Sequence, residues 1–171
     1  MKAASDRRVT LTTMLVSILV IALTNLVRPQ YRLIYNPSES APRGWYGIGS
    51  PRELSIDTFA LVRLRDAFAR VAAERRYLPR SVPLLKRVAA VKGQRVCERD
   101  GVVEIDGSVV ARAKTADALG RRLVAWIGCR TLDDGELFLL SRSIDSSFDS
   151  RYFGPIDHAH LIGRAVPVWT W

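Results

Sequence analysis

Leu84-Leu85-Lys86-Arg87-Val88-Ala89-Ala90-Val91 opens the part of the chain whose texture decides the fold. Read as a strand, it places Leu84, Lys86, Val88 and Ala90 on one face, because successive side chains alternate across a sheet. Short strand candidates follow closely at Arg95–Glu98, Val102–Ile105 and Val109–Ala113. Asp100-Gly101 and Asp106-Gly107 separate them, and such pairs tolerate the left-handed backbone that tight hairpins need. Leu123–Trp126, Glu136–Ser141 and Leu161–Trp169 continue the series, with Asp134-Gly135 at another turn. Upstream, Trp45–Ile48 and Thr58–Leu64 read as strands. One helix is predicted over Ala67–Tyr77, with Asp66 as its N-cap, Phe68, Val71 and Ala72 on one face, and Pro79 ending it. Many short strands and one short helix give a mainly β domain with antiparallel pairing. Pro29–Arg43, rich in Pro, Ser and Asn, reads as loop or extended chain.

The 171 residues allow one ordinary domain after a short N-terminal segment. Met1–Arg8 carries Lys2, Arg7 and Arg8 against Asp6, and Val9–Val27 contains no charge. As a helix those 19 residues would extend about 28 Å, enough to cross a hydrocarbon core. The basic flank keeps the N-terminus in the cytoplasm and exports the rest. Residues 1–28 are therefore expected to be a cytoplasmic end and transmembrane signal anchor, and 29–171 an extracytoplasmic domain. Thr10, Thr12, Thr13, Ser17, Thr24 and Asn25 interrupt the apolar run, whose best stretch is Met14–Leu23. That length also suits a removed signal peptide, with Val20-Ile21-Ala22 as its cleavage site, but the uncleaved anchor is the favoured reading.

A formal charge of +9 raises nucleic acid, anionic lipid and acidic partners. The basic residues are scattered among acidic ones and no nucleic-acid motif accompanies them, so membrane lipid is the expected partner and nucleic acid is not. In an exported domain Cys97 and Cys129 are either one disulfide or two buried thiols. No C-x-x-C spacing is present, and His158-Ala159-His160 is a poor metal site without further ligands, so no metal is expected.

Three segments could carry chemistry. In Asn36-Pro37-Ser38-Glu39-Ser40-Ala41-Pro42-Arg43-Gly44-Trp45, two serines stand between prolines that stiffen the loop. Alone, this is as readily an ordinary juxtamembrane linker. Lys86, in line with Leu84, Val88 and Ala90, is either an edge-strand guard or a buried amine of lowered pKa. The second is what a lysine base requires, since a solvated ammonium stays protonated at neutral pH. Ser143-Ile144-Asp145-Ser146-Ser147-Phe148-Asp149-Ser150-Arg151-Tyr152-Phe153-Gly154-Pro155 is dense in hydroxyls, and its Asp149 and Arg151 can pair.

In this order the three segments resemble the signal peptidase family of Ser/Lys proteases, over essentially the whole chain beyond the N-terminal segment. Ser40-Ala41-Pro42-Arg43-Gly44-Trp45-Tyr46, Tyr77-Leu78-Pro79, Gly128-Cys129-Arg130-Thr131-Leu132 and Ser147–Pro155 are similar to its conjugative-transfer (TraF) branch. The resemblance implies a signal-peptidase-like β domain on the periplasmic side of a bacterial inner membrane. It makes Ser40 the nucleophile and Lys86 the general base. Ser38, with the Ser40 backbone N–H, becomes the oxyanion hole, and Ser147 the hydroxyl that orients the lysine. It implies that Asp149 and Arg151 hold the loop, that Cys97 and Cys129 pair, and that no cofactor is needed. The implied substrate is a precursor polypeptide, pilin-like, cut after a small residue and either hydrolysed or cyclised. Two departures stand out: Ala41 replaces the Met that general signal peptidases carry after the nucleophile, and Gln94 replaces an aspartate after glycine, so that turn is tied differently. A general leader peptidase or a non-enzymatic scaffold of a transfer complex are the rival functions. A histidine triad from Ser40, Asp149 and His158 or His160 is the rival chemistry, without the Gly-x-Ser-x-Gly elbow that would support it.

Overall fold

A computed structural model describes residues 10–20, 22, 32–52, 54–142 and 144–171. Two compact units divide the chain at residues 30 and 31. In the first, residues 10–20 and 22 are helical and exposed. Eleven consecutive helical residues extend only about 17 Å, and among the described residues no helix is long and apolar enough to cross a membrane. The transmembrane helix expected at Val9–Val27 is therefore not supported by the described residues. Val9, Ile21 and residues 23–27 of that span lie outside them.

The second unit is mainly antiparallel β. Ten strands are described: β1 (Arg32–Asn36), β2 (Gly44–Gly49), β3 (Phe59–Val62), β4 (Leu84–Ala90), β5 (Arg95–Arg99), β6 (Val102–Ile105), β7 (Ser108–Arg112), β8 (Gly128–Thr131), β9 (Phe138–Leu140) and β10 (Leu161–Thr170). They form a six-stranded sheet in the order β1-β2-β10-β3-β4-β9 and a four-stranded sheet in the order β7-β6-β5-β8. The Asp-Gly turns build the smaller sheet: Asp100, Gly101, Asp106 and Gly107 all have positive φ, the geometry that matches the twist of a two-residue hairpin.

The alternation in β4 sets the core. Lys86 stands opposite Ala60 of β3, and Leu84 opposite Val62. Leu84, Val88, Ala60 and Val62 belong to one cluster with Leu139, Phe153 and Ile156, while Leu85 joins Tyr46, Ile48, Phe59 and Leu61 on the other side. A strand apolar on both faces reads as a near-continuous hydrophobic run, and that makes the one lysine in it conspicuous.

Several local expectations need correction. The helix runs Asp66–Glu74; Arg65 is its N-cap, without a side-chain cap bond, and Asp66 lies inside the first turn. It ends before Tyr77 because Arg76 turns left-handed (φ 58°), and the amide of Tyr77 bonds back to Ala72. Two further helical turns, Ser150–Phe153 and the 3-10 turn His158–His160, exceed the single helix expected. β1 lies inside the segment read as loop or extended chain, and it is a strand through the pairing of Tyr35 with Trp45 and Asn36 with Gly44. β8 is held by β5 although Gly128 and Cys129 carry little strand signal. Leu123–Trp126 forms no strand; Trp126 instead packs on Phe138 and donates its amide to the Arg151 carbonyl.

Candidate active site

The loop between β1 and β2 is held by Asn36, the last residue of β1 and nearly buried. Its Nδ2 donates to the carbonyls of Ser38 (2.9 Å), Ala41 (3.1 Å) and Pro42 (3.1 Å). Its Oδ1 accepts from the Ser38 amide (3.2 Å) and the Ser38 hydroxyl (2.8 Å). One short amide thus satisfies five polar groups of a loop whose prolines leave few backbone donors, the local side-chain-to-backbone bonding that favours Asn at turns. Tyr46, fully buried, adds a bond from its Oη to the Pro42 carbonyl (2.7 Å). Gly44 must be glycine: its φ is 139°, and a Cβ there would meet the Trp169 carbonyl at 2.1 Å. The outcome is a fixed loop with Ser38 exposed and Ser40 half-buried, their Oγ atoms 3.0 Å apart. Because the Ser38 proton goes to Asn36, Ser40 is the donor in that pair.

Lys86 is 3 % exposed, and its Nζ donates to Ser147 Oγ at 2.5 Å. Burial pushes its pKa down from 10.5 to about 8; the Asp149 carboxylate partly offsets this, and the Arg151 guanidinium adds to the lowering. The edge-guard alternative fails on position, because β4 lies between β3 and β9.

The segment that supplies Ser147 is built around a buried guanidinium. Arg151, 1 % exposed, donates Nε to Asp149 Oδ1 and Nη2 to Oδ2, both at 2.8 Å. Its remaining donors reach the carbonyls of Asp145 (2.9 Å), Ile144 (3.2 Å), Ser147 (3.3 Å) and Arg112 (3.3 Å). The guanidinium fork suits a carboxylate and leaves donors to tie a loop around it. Asp149 also caps the turn Ser150–Phe153 through the Arg151 amide and accepts from the Ser141 amide at 3.0 Å. Both carboxylate oxygens are thereby occupied, and neither histidine is among their partners. His160 Nε2 is 4.0 Å from Asp157 instead.

Ser141 was missed in the sequence. It directly follows β9, and the register Arg87↔Leu140 continued by one residue puts it across from Lys86. Its Oγ donates to the Ser40 carbonyl at 3.0 Å while its amide binds Asp149. Ser141 therefore ties the serine loop to the lysine segment. No direct bond joins Ser40 to Lys86: the serine pairs with Ser38 and the amine with Ser147.

Elsewhere, Cys97 and Cys129 form a disulfide between directly opposed residues of β5 and β8. Gln94 ties its turn by accepting from the Val91 amide (3.1 Å) and donating to Asp106 Oδ2 (2.9 Å). Among the described residues no cluster of His, Cys, Asp and Glu is suited to a metal.

The chain thus holds a hydroxyl on a stiff loop, a buried amine and a buried ion pair, with Ser141 linking the serine loop to the ion pair. Residues 6–171 match the family model described as signal peptidase, peptidase S26, and the chain belongs to that family. It is 38% identical over 150 residues to the conjugal transfer protein TraF of Agrobacterium fabrum, covering 82% of each chain. It is 34% identical over 151 residues to a probable conjugal transfer protein TraF of Sinorhizobium fredii, covering 82% of this chain and 78% of that one. Identity to a plasmid transfer protein TraF of Escherichia coli is 37% over 91 residues, about half of each chain. A signal peptidase I crystal structure from Enterococcus faecalis superimposes with a TM-score of 0.40 at 19% identity, over 67% of this chain and 98% of that one.

Proposed function

We propose that this chain is a membrane-anchored serine endopeptidase in which Ser40 is the nucleophile and Lys86 the general base. The observation that carries the reading is the buried amine: Lys86 sits in an apolar strand with one neutral hydroxyl as partner, the environment that lowers a lysine's pKa toward neutrality and so makes its unprotonated form accessible. In the first step Ser40 Oγ turns from Ser38 toward Lys86 Nζ, gives up its proton and attacks the peptide carbonyl. Ser38 Oγ–H, released from Asn36, and the Ser40 N–H then donate to the tetrahedral oxyanion. Collapse breaks the C–N bond, and the leaving amine takes the proton from Lys86. Water, or a second amine, attacks the acyl-serine and restores the enzyme. Asp149 and Arg151 are positioning residues that act through the segment carrying Ser147.

The substrate is a precursor polypeptide with a small residue before the cleaved bond, pilin-like and matured for conjugative transfer. Similarity to proteins named for conjugal and plasmid transfer supports this. Residues 1–28 anchor the chain in the bacterial inner membrane, with 29–171 on the periplasmic side, where the Cys97–Cys129 disulfide is stable. An exposed aromatic face beside the serine loop supports contact with a membrane surface. Tyr35, Trp45, Trp169 and Trp171 lie within 5.3–6.2 Å of one another in successive pairs, flanked by exposed Leu33 and Val168. Such rings favour the lipid–water interface.

Active-site titration of the full chain in detergent, with a pH profile of kcat/KM on a pilin precursor, tests the reading. A stoichiometric acyl-serine on Ser40 and an acid limb that levels above about pH 8 are expected. No titratable serine, or a limb unmoved by Lys86 substitution, refutes the dyad. A secretory precursor cut as well as the pilin precursor makes it a general leader peptidase.

A further inference from the structure

A cleft of about 760 Å³ opens on Ser40, and its polar lining is dominated by three arginines, Arg43, Arg87 and Arg142. Two carboxylates share it, and both are engaged: Glu39 pairs with Arg43 at 2.6 Å and Asp57 with Arg142 at 2.7 Å. Arg87 has no carboxylate within 4.0 Å among the described residues. Its Nη1 donates to the Asp57 backbone carbonyl at 2.9 Å, and its guanidinium lies 4.5 Å from the centroid of the Phe59 ring. A guanidinium carries five donors, so most of its fork remains available. Stacking on Phe59 and the central position of β4 hold it in place, which lowers the entropy lost when a partner binds. Arg87 is also the residue next to Lys86, on the opposite face of the same strand.

We propose that Arg87 is a specificity-determining residue that binds a carboxylate of the substrate polypeptide close to the scissile bond, assisted by Arg43 and Arg142 at the rim of the cleft. This rests on the peptidase reading, because it takes Ser40 to mark the reacting bond. The substrate class it names is a precursor carrying an acidic side chain, or its own C-terminal carboxylate, a few residues from the cut. A polypeptide lying against Ser40 delivers such a group into the cleft without a separate binding event, and the arginine fork accepts it bidentately.

The test uses the full chain in detergent micelles and peptides built around a small residue. Glu and Gln are exchanged at each neighbouring position, and each peptide is made with a free and an amidated C-terminus. Cleavage gives kcat/KM, and tryptophan fluorescence of the Ser40→Ala protein gives binding without turnover. One exchange of Glu for Gln, or amidation alone, should weaken both by about tenfold, the worth of one charge-assisted hydrogen bond. Whichever change does so tells the side chain from the terminus. Arg87→Gln and Arg87→Lys should compress that ratio, the former to within about twofold, and Arg87→Glu should invert it in favour of a Lys peptide. Discrimination in binding with no cleavage of any peptide supports the carboxylate site and sinks the peptidase reading. Equal treatment of all peptides, or a ratio that survives Arg87→Gln, overturns the proposal. So does Arg87-dependent competition by phosphatidylglycerol vesicles with no response to peptide charge, which would make the cleft a lipid-headgroup site.

Discussion

The loop from Asn36 to Gly44 and the segment from Ile144 to Arg151 meet at Ser141, and they are stabilised in opposite ways. The first is organised by a neutral amide, Asn36, and leaves its hydroxyls open to solvent. The second is organised by a buried charge, Arg151, and keeps Ser147 and Asp149 out of water. On the peptidase reading proposed above, the difference follows from what each side has to do. An attacking oxygen must reach a bulky polypeptide, so its loop is fixed from behind and exposed in front. An amine that is to be neutral must lose water, so the segment that orients it is buried, and its polar groups must then all find protein partners.

Removing the chemical group on either side should show the largest effects. Ser40→Ala and Lys86→Arg are each expected to lower kcat/KM by about 10⁴-fold or more with the fold retained by circular dichroism, since nucleophile and base act as a unit and a guanidinium stays protonated. If Lys86→Arg turns over normally, the exposed and buried sides have no division of labour. The bracing should differ next. Asp149→Ala leaves Arg151 buried without its carboxylate and should cost about 3–5 kcal/mol in urea unfolding. Asn36→Ala, which removes only neutral bonds, should cost less; equal losses would erase the contrast.

A smaller effect is expected from the disulfide, which joins β5 to β8 in the four-stranded sheet. Replacing Cys97 and Cys129 by serine should destabilise by about 2–4 kcal/mol while kcat/KM stays within about twofold. A large loss of activity would mean that this sheet contributes to the site. The smallest change has the opposite sign. The folded pKa of Lys86 is about 8, below its unfolded value, so this amine contributes full stability only above pH 10.5, and that contribution is lost as pH falls through 8. Lys86→Met should therefore be inactive yet more stable near pH 7, by about 1–3 kcal/mol. The gain should shrink as pH approaches 10.5. A destabilised Lys86→Met at pH 7 would mean that the amine is not held at a cost.

Much of this was legible in the chain because it rests on local rules. Period-two alternation isolated Lys86 among apolar residues, and Asp-Gly pairs located the hairpins. The spacing of Asp149 and Arg151 allowed their pairing, and the ordered motifs carried the family. Other elements were invisible for stated reasons. β1 was legible only as loop or extended chain, and pairing with β2 is what makes it a strand. β8 depends on β5 in the same way. Ser141 has no motif of its own, and its role exists only because β9 runs beside β4 and brings it between Ser40 and Asp149. Arg87 looked like one basic residue among many until Asp57, Phe59 and Arg142 gathered around one cleft.

By itself the sequence determined which residues could do chemistry and which strand sets a lysine among apolar neighbours, since alternation and side-chain type are properties of neighbours along the chain. Only the tertiary structure decided that the lysine is central rather than at an edge, that its amine meets Ser147, and that three arginines face one cleft. Those are contacts between residues far apart in sequence, and only strand order and register bring them together.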